Sequence, residues 1–231
     1  MFPWAEGNLL QFWKAHDNGI GQRPADPNMV KWMSKQFAGL ASVVMLVHGP
    51  TKYSLDQKAA TLGCSSQPTQ YGRHGDLKPE NILFFVGVEH DDDTDPSIPD
   101  GPRGILKVAD FGLAAFHTKG SERQRASRTA RSKTHRAPEF DAAEVTALAD
   151  IWSFGCILLE FLVWYQRGME GVKKFSHDRA EEEREQNPEY VEDKFFMRGA
   201  GARSDFKVKE TVVKVSNPSN LTSPPPRTLS G

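Results

Sequence analysis

The sequence predicts an α+β fold, mainly α, with a small β-ribbon at one edge, and three observations carry that expectation. Met29, Met33, Phe37, Leu40, Val44 and Val47 recur every three or four positions, one continuous apolar stripe on a helix over 28–48. Leu148, Ile151, Trp152, Leu158, Leu159 and Leu162 mark a second helix, over 148–165, apolar on most sides and therefore central and buried. Residues 82–86 and 105–108 are short β-branched and apolar runs suited to a strand pair.

The remaining elements follow in chain order. Asn8 stands where it can cap a short helix whose apolar residues Leu9, Phe12 and Trp13 fall at helical spacing. Residues 19–27 read as a loop, and the long helix ends near His48-Gly49-Pro50. Residues 51–73 are polar and carry Gly and Pro without periodicity, so they read as a loop or insertion. Between the two strands, 89–103 holds five aspartates and three prolines and reads as an exposed loop. Asp91-Asp92-Asp93-Thr94-Asp95 looks like the opening of a calcium loop. Pro96 stands where such a loop requires Gly, however, and Pro102 where it requires a bidentate Glu. Residues 173–194, rich in Glu, Lys and Arg, are expected to form a solvated helix, and 216–231 a disordered tail.

Bulk properties narrow the function classes. The chain has 231 residues, 38% hydrophobic and 26% charged, the make-up of a soluble globular protein. A net charge of -1 points to no nucleic-acid or membrane partner. Residues 117–136 carry seven Lys or Arg against Glu122, but without aromatic residues among them base stacking is unsupported. Cys64 and Cys156 are too few and too far apart for a disulfide framework or a zinc cluster. The N-terminus lacks a basic region followed by an apolar run, so an intracellular chain, cytoplasmic or nuclear, is expected. The apolar stretch from 148 to 165 contains Asp150 and Glu160 and reads as a buried helix, not a membrane span.

Four motifs occur in a fixed order. His74-Gly75-Asp76-Leu77-Lys78-Pro79-Glu80-Asn81 is followed, 29 residues after Asn81, by Asp110-Phe111-Gly112. Ala137-Pro138-Glu139 comes next, and then Asp150-Ile151-Trp152-Ser153-Phe154-Gly155. Singly these strings are weak signals. Together, with the expected strands and helices between them, they resemble the catalytic loop, metal-binding turn, activation-segment end and central helix of the eukaryotic-type protein kinases. Lys78 two residues after Asp76, followed by Pro79-Glu80, resembles the serine/threonine type.

The resemblance implies a division of labour among these residues. Phosphoryl transfer needs positioning and charge neutralisation more than covalent help. Asp76 would orient the acceptor hydroxyl and receive its proton, and Lys78 would bring a positive charge to the transferring phosphate. Asn81 and Asp110 would supply hard oxygens to Mg2+, and hence hold ATP, with Gly112 letting the backbone turn after the metal ligand. Asp150 would hold the catalytic-loop backbone from the buried helix. Glu139 would be a structural ion-pair member, although no Arg partner for it is found in the sequence. One departure is Gly75, where the family usually has an Arg that pairs with an activation-segment phosphate. Ser121, Ser127, Thr129 and Ser132 lie among arginines, either as phosphoacceptors or in a plain solvated basic loop.

The same resemblance implies a partial kinase domain over 1–215: a hinge at residues 1–5 and a C-terminal lobe, cut short at both ends. The match covers 1 to about 172 well and fades through 173–215. The N-terminal lobe's Gly-x-Gly-x-x-Gly loop, strand Lys and helix Glu are not found. The expected partner is a protein substrate or a docking partner. Three classes follow: a protein serine/threonine kinase weak or inactive as this fragment, a pseudokinase-like binding module, or a truncated non-functional product.

Overall fold

A computed structural model describes residues 3–17, 26–49, 70–86, 104–118, 124–125, 133–142, 144–186, 188–189, 191–199, 201 and 205–217. The expected loop at 89–103, most of the insertion at 51–73, most of the basic stretch and nearly all of the tail fall outside these residues. Helix and strand are mixed, and helix predominates.

The chain enters through β1 (Gly7–Asn8), which turns directly into α1 (Leu9–Ala15). Asn8 and Gln11 exchange side-chain and backbone hydrogen bonds in a capping box, which satisfies amides that the first turn leaves open. The long helix α2 (Pro27–His48) is capped by Asp26, with proline at its first position. Its stripe buries Met29, Met33, Leu40 and Val44, and Trp32 joins them.

Strand β2 (Gln70–Arg73) corrects the expectation that 51–73 is loop throughout, since its last four residues pair antiparallel with β5 (Ala115–Thr118). Gly72 sits so close to α2 that a Cβ on it would meet the Val47 carbonyl oxygen at 2.6 Å. The expected ribbon forms from β3 (Ile82–Phe85) and β4 (Ile105–Val108), which pair antiparallel. It has a third strand, because β1 pairs with the free edge of β3. Two long-range bonds tie α2 to β4: Trp32 Nε1 donates to the Gly104 carbonyl at 2.8 Å, and the Leu106 amide donates to Gln36 Oε1 at 2.8 Å.

Further along lie β6 (Gln124–Arg125), α3 (Glu139–Ala142) and β7 (Glu144–Val145), with β6 paired to β7. Helix α4 (Leu148–Gln186) then runs through the middle of the protein. It is not one straight helix. Gly168, at φ 66° and ψ -167°, breaks it, and Asp17 Oδ1 accepts the Met169 amide at 3.3 Å where the second half begins.

The second half corrects the expectation of a solvated helix over 173–194. It ends at Gln186 and buries Met169, Phe175 and Arg179, with charged residues on its other face. The chain closes with the hairpin β8 (Phe196–Arg198) and β9 (Phe206–Val208), then α5 (Glu210–Ser216).

The main core gathers around Phe12, whose ring centroid lies 4.7 Å from Phe84, 5.2 Å from Trp32 and 5.7 Å from Trp164. Phe161 lies at its base, 5.1 Å from Phe37 of α2. Rings buried to this degree each contribute roughly 1.5–3 kcal/mol. By composition α4 is apolar enough to cross a membrane, yet 56% of its most apolar window is buried inside the protein. Its apolar side faces α1 and α2, and α5 packs on its later turns.

Candidate active site

The catalytic-loop motif follows β2 and is fixed from below by α4. Asp150, in the first turn of that helix, has a side chain only 3% exposed. Its Oδ2 accepts the His74 amide at 2.7 Å and its Oδ1 the Gly75 amide at 2.8 Å. His48, at the end of α2, places Nε2 2.9 Å from Oδ2. A buried carboxylate is tolerated here because three donors replace the water it has lost. Sequence reading did not single out His48, which ends an apolar stripe and carries no motif.

Gly75 adopts φ 82°, a left-handed conformation, and the Leu113 carbonyl oxygen lies 2.9 Å from where its Cβ would be. Just beyond, 3.7 Å from the same point, is Nε of Arg73. Arg73 is buried and donates to the Val145 carbonyl at 3.0 Å, with its guanidinium 6.0 Å above the Phe140 ring. Burial lowers its pKa, partly opposed by Asp150.

From Gly75 the loop places three polar side chains together. Asp76 Oδ2 lies 2.8 Å from Lys78 Nζ. Asn81 Nδ2 donates to the Asp76 carbonyl at 2.9 Å and to Asp76 Oδ2 at 3.2 Å. Leu77 and Pro79 point the other way, into the core, so the loop is anchored by alternate residues. The short 3-10 turn Pro79–Asn81 then leads into β3.

The second motif is stitched to the first through Ala109. Its amide donates to the Asn81 carbonyl at 2.8 Å, and its carbonyl lies 3.0 Å from His74 Nε2. Asp110 therefore follows directly beside the loop, exposed, at φ 61°, with Oδ1 accepting the Gly112 amide at 3.2 Å. Phe111 rests on His74, ring centroids 4.8 Å apart, and is 46% exposed.

Asp76, Lys78, Asn81, Asp110 and Gly112 are thus gathered at one edge. Glu139 is not among them: it opens α3, and its Oε2 is buried with no hydrogen-bond partner among the described residues.

A metal fit can be judged from the donors themselves. The Asn81 Nδ2 makes both of its hydrogen bonds to Asp76, which leaves Oδ1 available, and Asp110 is exposed. Among the described residues no cluster of three His, Cys, Asp or Glu could hold a metal ion alone. Two oxygen ligands completed by substrate phosphates and water is the manner in which magnesium is usually held, so these residues fit it.

Opposite the loop, a narrow cleft with room for little more than a water molecule lies between residues 75–77 and the pair His135 and Arg136, with Phe140 and Ser153 behind. His135 Nε2 lies 2.8 Å from Glu160 Oε2, and Arg179 NH2 donates to Glu160 Oε1 at 3.0 Å. Burial pushes the Glu160 carboxyl up, but His135 and Arg179 together hold it below its usual range. The Arg179 guanidinium is fully buried, 4.1 Å from the Phe175 ring and 4.0 Å from Phe195. None of these was visible as a site in the sequence, because the partners come from stretches far apart.

Comparison with known proteins places the chain by its sequence. The protein kinase domain pattern matches residues 71–200, more than half of the chain. Cyclin-dependent kinase D-1 of Arabidopsis thaliana is 35% identical over 92 residues, 39% of this chain and 19% of that protein. Protein kinase gsk3 of Schizosaccharomyces pombe is 29% identical over 133 residues, 53% of this chain and 30% of that protein. Glycogen synthase kinase 1 of Pyricularia oryzae is 31% identical over 133 residues, 53% of this chain and 29% of that protein. The chain spans less than a third of the length of these relatives. The domain match spans all four motifs and the helix that anchors them, and on it the chain belongs to the eukaryotic-type protein kinase family.

Proposed function

We propose that the chain is the catalytic-loop-bearing C-terminal lobe of a protein serine/threonine kinase, spanning 1–215, and that its substrate is a Ser or Thr hydroxyl on a protein. The observation that carries this reading is the Asp76–Lys78–Asn81 cluster, bound through Ala109 to Asp110. Members of the family use ATP and magnesium, which supply the phosphoryl group and neutralise its charge. Asp76 orients the acceptor hydroxyl and takes its proton, from a position already fixed by Lys78 and Asn81. Lys78 shares its charge between Asp76 and the phosphate side of the site. Asn81, through Oδ1, and Asp110, through its exposed carboxylate, would hold the metal when it is bound.

The 231 residues contain no Gly-x-Gly-x-x-Gly, and no strand Lys before the catalytic loop is identified, so most contacts to nucleotide phosphates have no counterpart in this sequence. We therefore assign this chain alone negligible transfer. A second reading, a docking lobe that works through binding, is favoured by exposed apolar residues: Phe111 at the site's rim, and Met45 and Leu46 on α2.

Manganese, as a paramagnetic stand-in for magnesium, separates the two readings. In the presence of ATP its spin-resonance signal should report weak binding that Asp110→Asn and Asn81→Ala each reduce roughly tenfold. Binding that neither substitution changes would remove the catalytic assignment and leave the docking one.

A further inference from the structure

Four consecutive side chains beside the cleft are each held by a separate acidic group. Lys133 Nζ lies 2.8 Å from Glu192 Oε1, and Thr134 Oγ1 donates to Asp193 Oδ1 at 2.7 Å. His135 pairs with Glu160 at 2.8 Å, and Arg136 with Asp141 at 2.5 Å. Lys194 then joins the two ends, bonding Asp141 at 3.3 Å and pairing with Glu192. Two of the four acids, Glu192 and Asp193, lie in the stretch that leads from α4 to β8, far along the chain from the motifs.

Asp193 bonds three residues, Thr134 among them. Its Oδ2 accepts from Ser176 Oγ at 2.7 Å, and its backbone carbonyl accepts from Arg179 Nε at 2.8 Å. Arg179 also bonds Glu160, which bonds His135, so Asp193 reaches residues 134 and 135 by two routes. Behind it Lys209, fully buried, donates to the Arg179 and Glu192 carbonyls and to Glu183, which fixes the stretch itself. Ser153 Oγ donates to the His135 carbonyl at 2.8 Å, so α4 supports the same wall from beneath.

The arrangement is more than a stability device in one respect. His135 and Arg136 line the cleft, and Asp76 lines its other side. Whatever sets the position of 134–136 therefore sets the width of the cleft at the proposed base. We propose that Asp193 is a positioning residue: through Thr134 it fixes residues 134–136, which face Asp76 across the narrow cleft, as the surface against which an acceptor chain rests. This rests on the kinase reading, and it adds the segment around 192–195 to the parts that determine acceptor binding.

The test compares the unmodified chain with Asp193→Ala, Asp193→Asn and Thr134→Val. The readouts are amide hydrogen exchange and the affinity for a fluorescein-labelled, basic, serine-containing octapeptide. Asp193→Ala should raise exchange at the amides of Thr134, His135 and Arg136 by roughly tenfold and leave that of residues 156–164 unchanged. It should weaken the octapeptide by roughly threefold to tenfold. Asp193→Asn, which keeps one acceptor oxygen, should fall between, and Thr134→Val should reproduce the effect with Ser176 and Arg179 still satisfied. Combined with Asp193→Ala, Thr134→Val should add little.

Unchanged exchange at 134–136 in both Asp193→Ala and Thr134→Val would overturn the proposal whether or not the peptide binds. Faster exchange with unaltered peptide affinity would overturn the positioning role and leave a structural clamp. No octapeptide binding by the unmodified chain would instead overturn the acceptor reading of the cleft, and the positioning role with it, while the exchange result would still stand.

Discussion

Asp150 holds Gly75 by a 2.8 Å hydrogen bond from the loop amide to a buried carboxylate oxygen. The same carboxylate takes the His74 amide and faces His48, so one side chain of α4 joins the end of α2 to the start of the catalytic loop. Asp150→Ala would remove the shared acceptor of the His74 and Gly75 amides and of His48. It should cost roughly 3–5 kcal/mol, read from urea unfolding, with Asp150→Asn costing less because it keeps one acceptor. A loss below about 1 kcal/mol for Asp150→Ala would mean that the loop is held by other contacts.

Gly75 takes a left-handed conformation, with the Leu113 carbonyl oxygen 2.9 Å from where a Cβ would be. Gly75→Ala should therefore destabilise the chain by about 1–2 kcal/mol, although the added methyl group is small. Equal or greater stability on thermal unfolding would show that the backbone at 75 relaxes freely.

Glu192 makes the clamp sensitive to acid. Burial raises its carboxyl, but Lys133 and Lys194 together bring it down to about 2. A carboxyl depressed on folding contributes its full stabilisation above the unfolded value of about 4.3, and loses it as pH falls toward 2. Glu192→Gln should thus be less stable than the unmodified chain at pH 7, by up to about 1 kcal/mol, with the gap closing between pH 4.5 and 2. The comparison of urea midpoints at pH 7 and pH 3 checks the sign. A gap that widened in acid would contradict it.

Much of the fold was legible because local pattern and tertiary role agree. The stripe from Met29 to Val44 faces the core that its periodicity points to, and β3 and β4 pair where β-branched runs lie. Asp76, Lys78 and Asn81 are close in sequence, so their meeting needs only a turn. Strand β2 was hidden because Gly72 reads as loop punctuation, whereas its missing side chain lets the strand approach Val47. The second half of α4 reads as solvated because Arg179 is charged, yet that charge is buried between two rings and paired with Glu160. The contacts of Asp193 with 134 and 176 are purely tertiary, and no spacing in the chain announces them.

Phosphate transfer from radiolabelled ATP to a basic protein tests the central assignment most directly. The chain 1–231 would be assayed alone and fused to a glycine-loop lobe that carries a strand Lys, each beside Asp76→Asn and Asp110→Asn. Positioning supplies roughly 7–11 kcal/mol in well-oriented reactions, and in the proposed reading the glycine loop and strand Lys of the fusion provide the part of it that the chain alone does not. The account predicts background transfer by the isolated chain, equal to its Asp76→Asn control. It predicts transfer to Ser and Thr by the fusion that either substitution removes. Robust transfer by the isolated chain that vanishes in Asp76→Asn, or transfer by the fusion that survives it, would contradict the account.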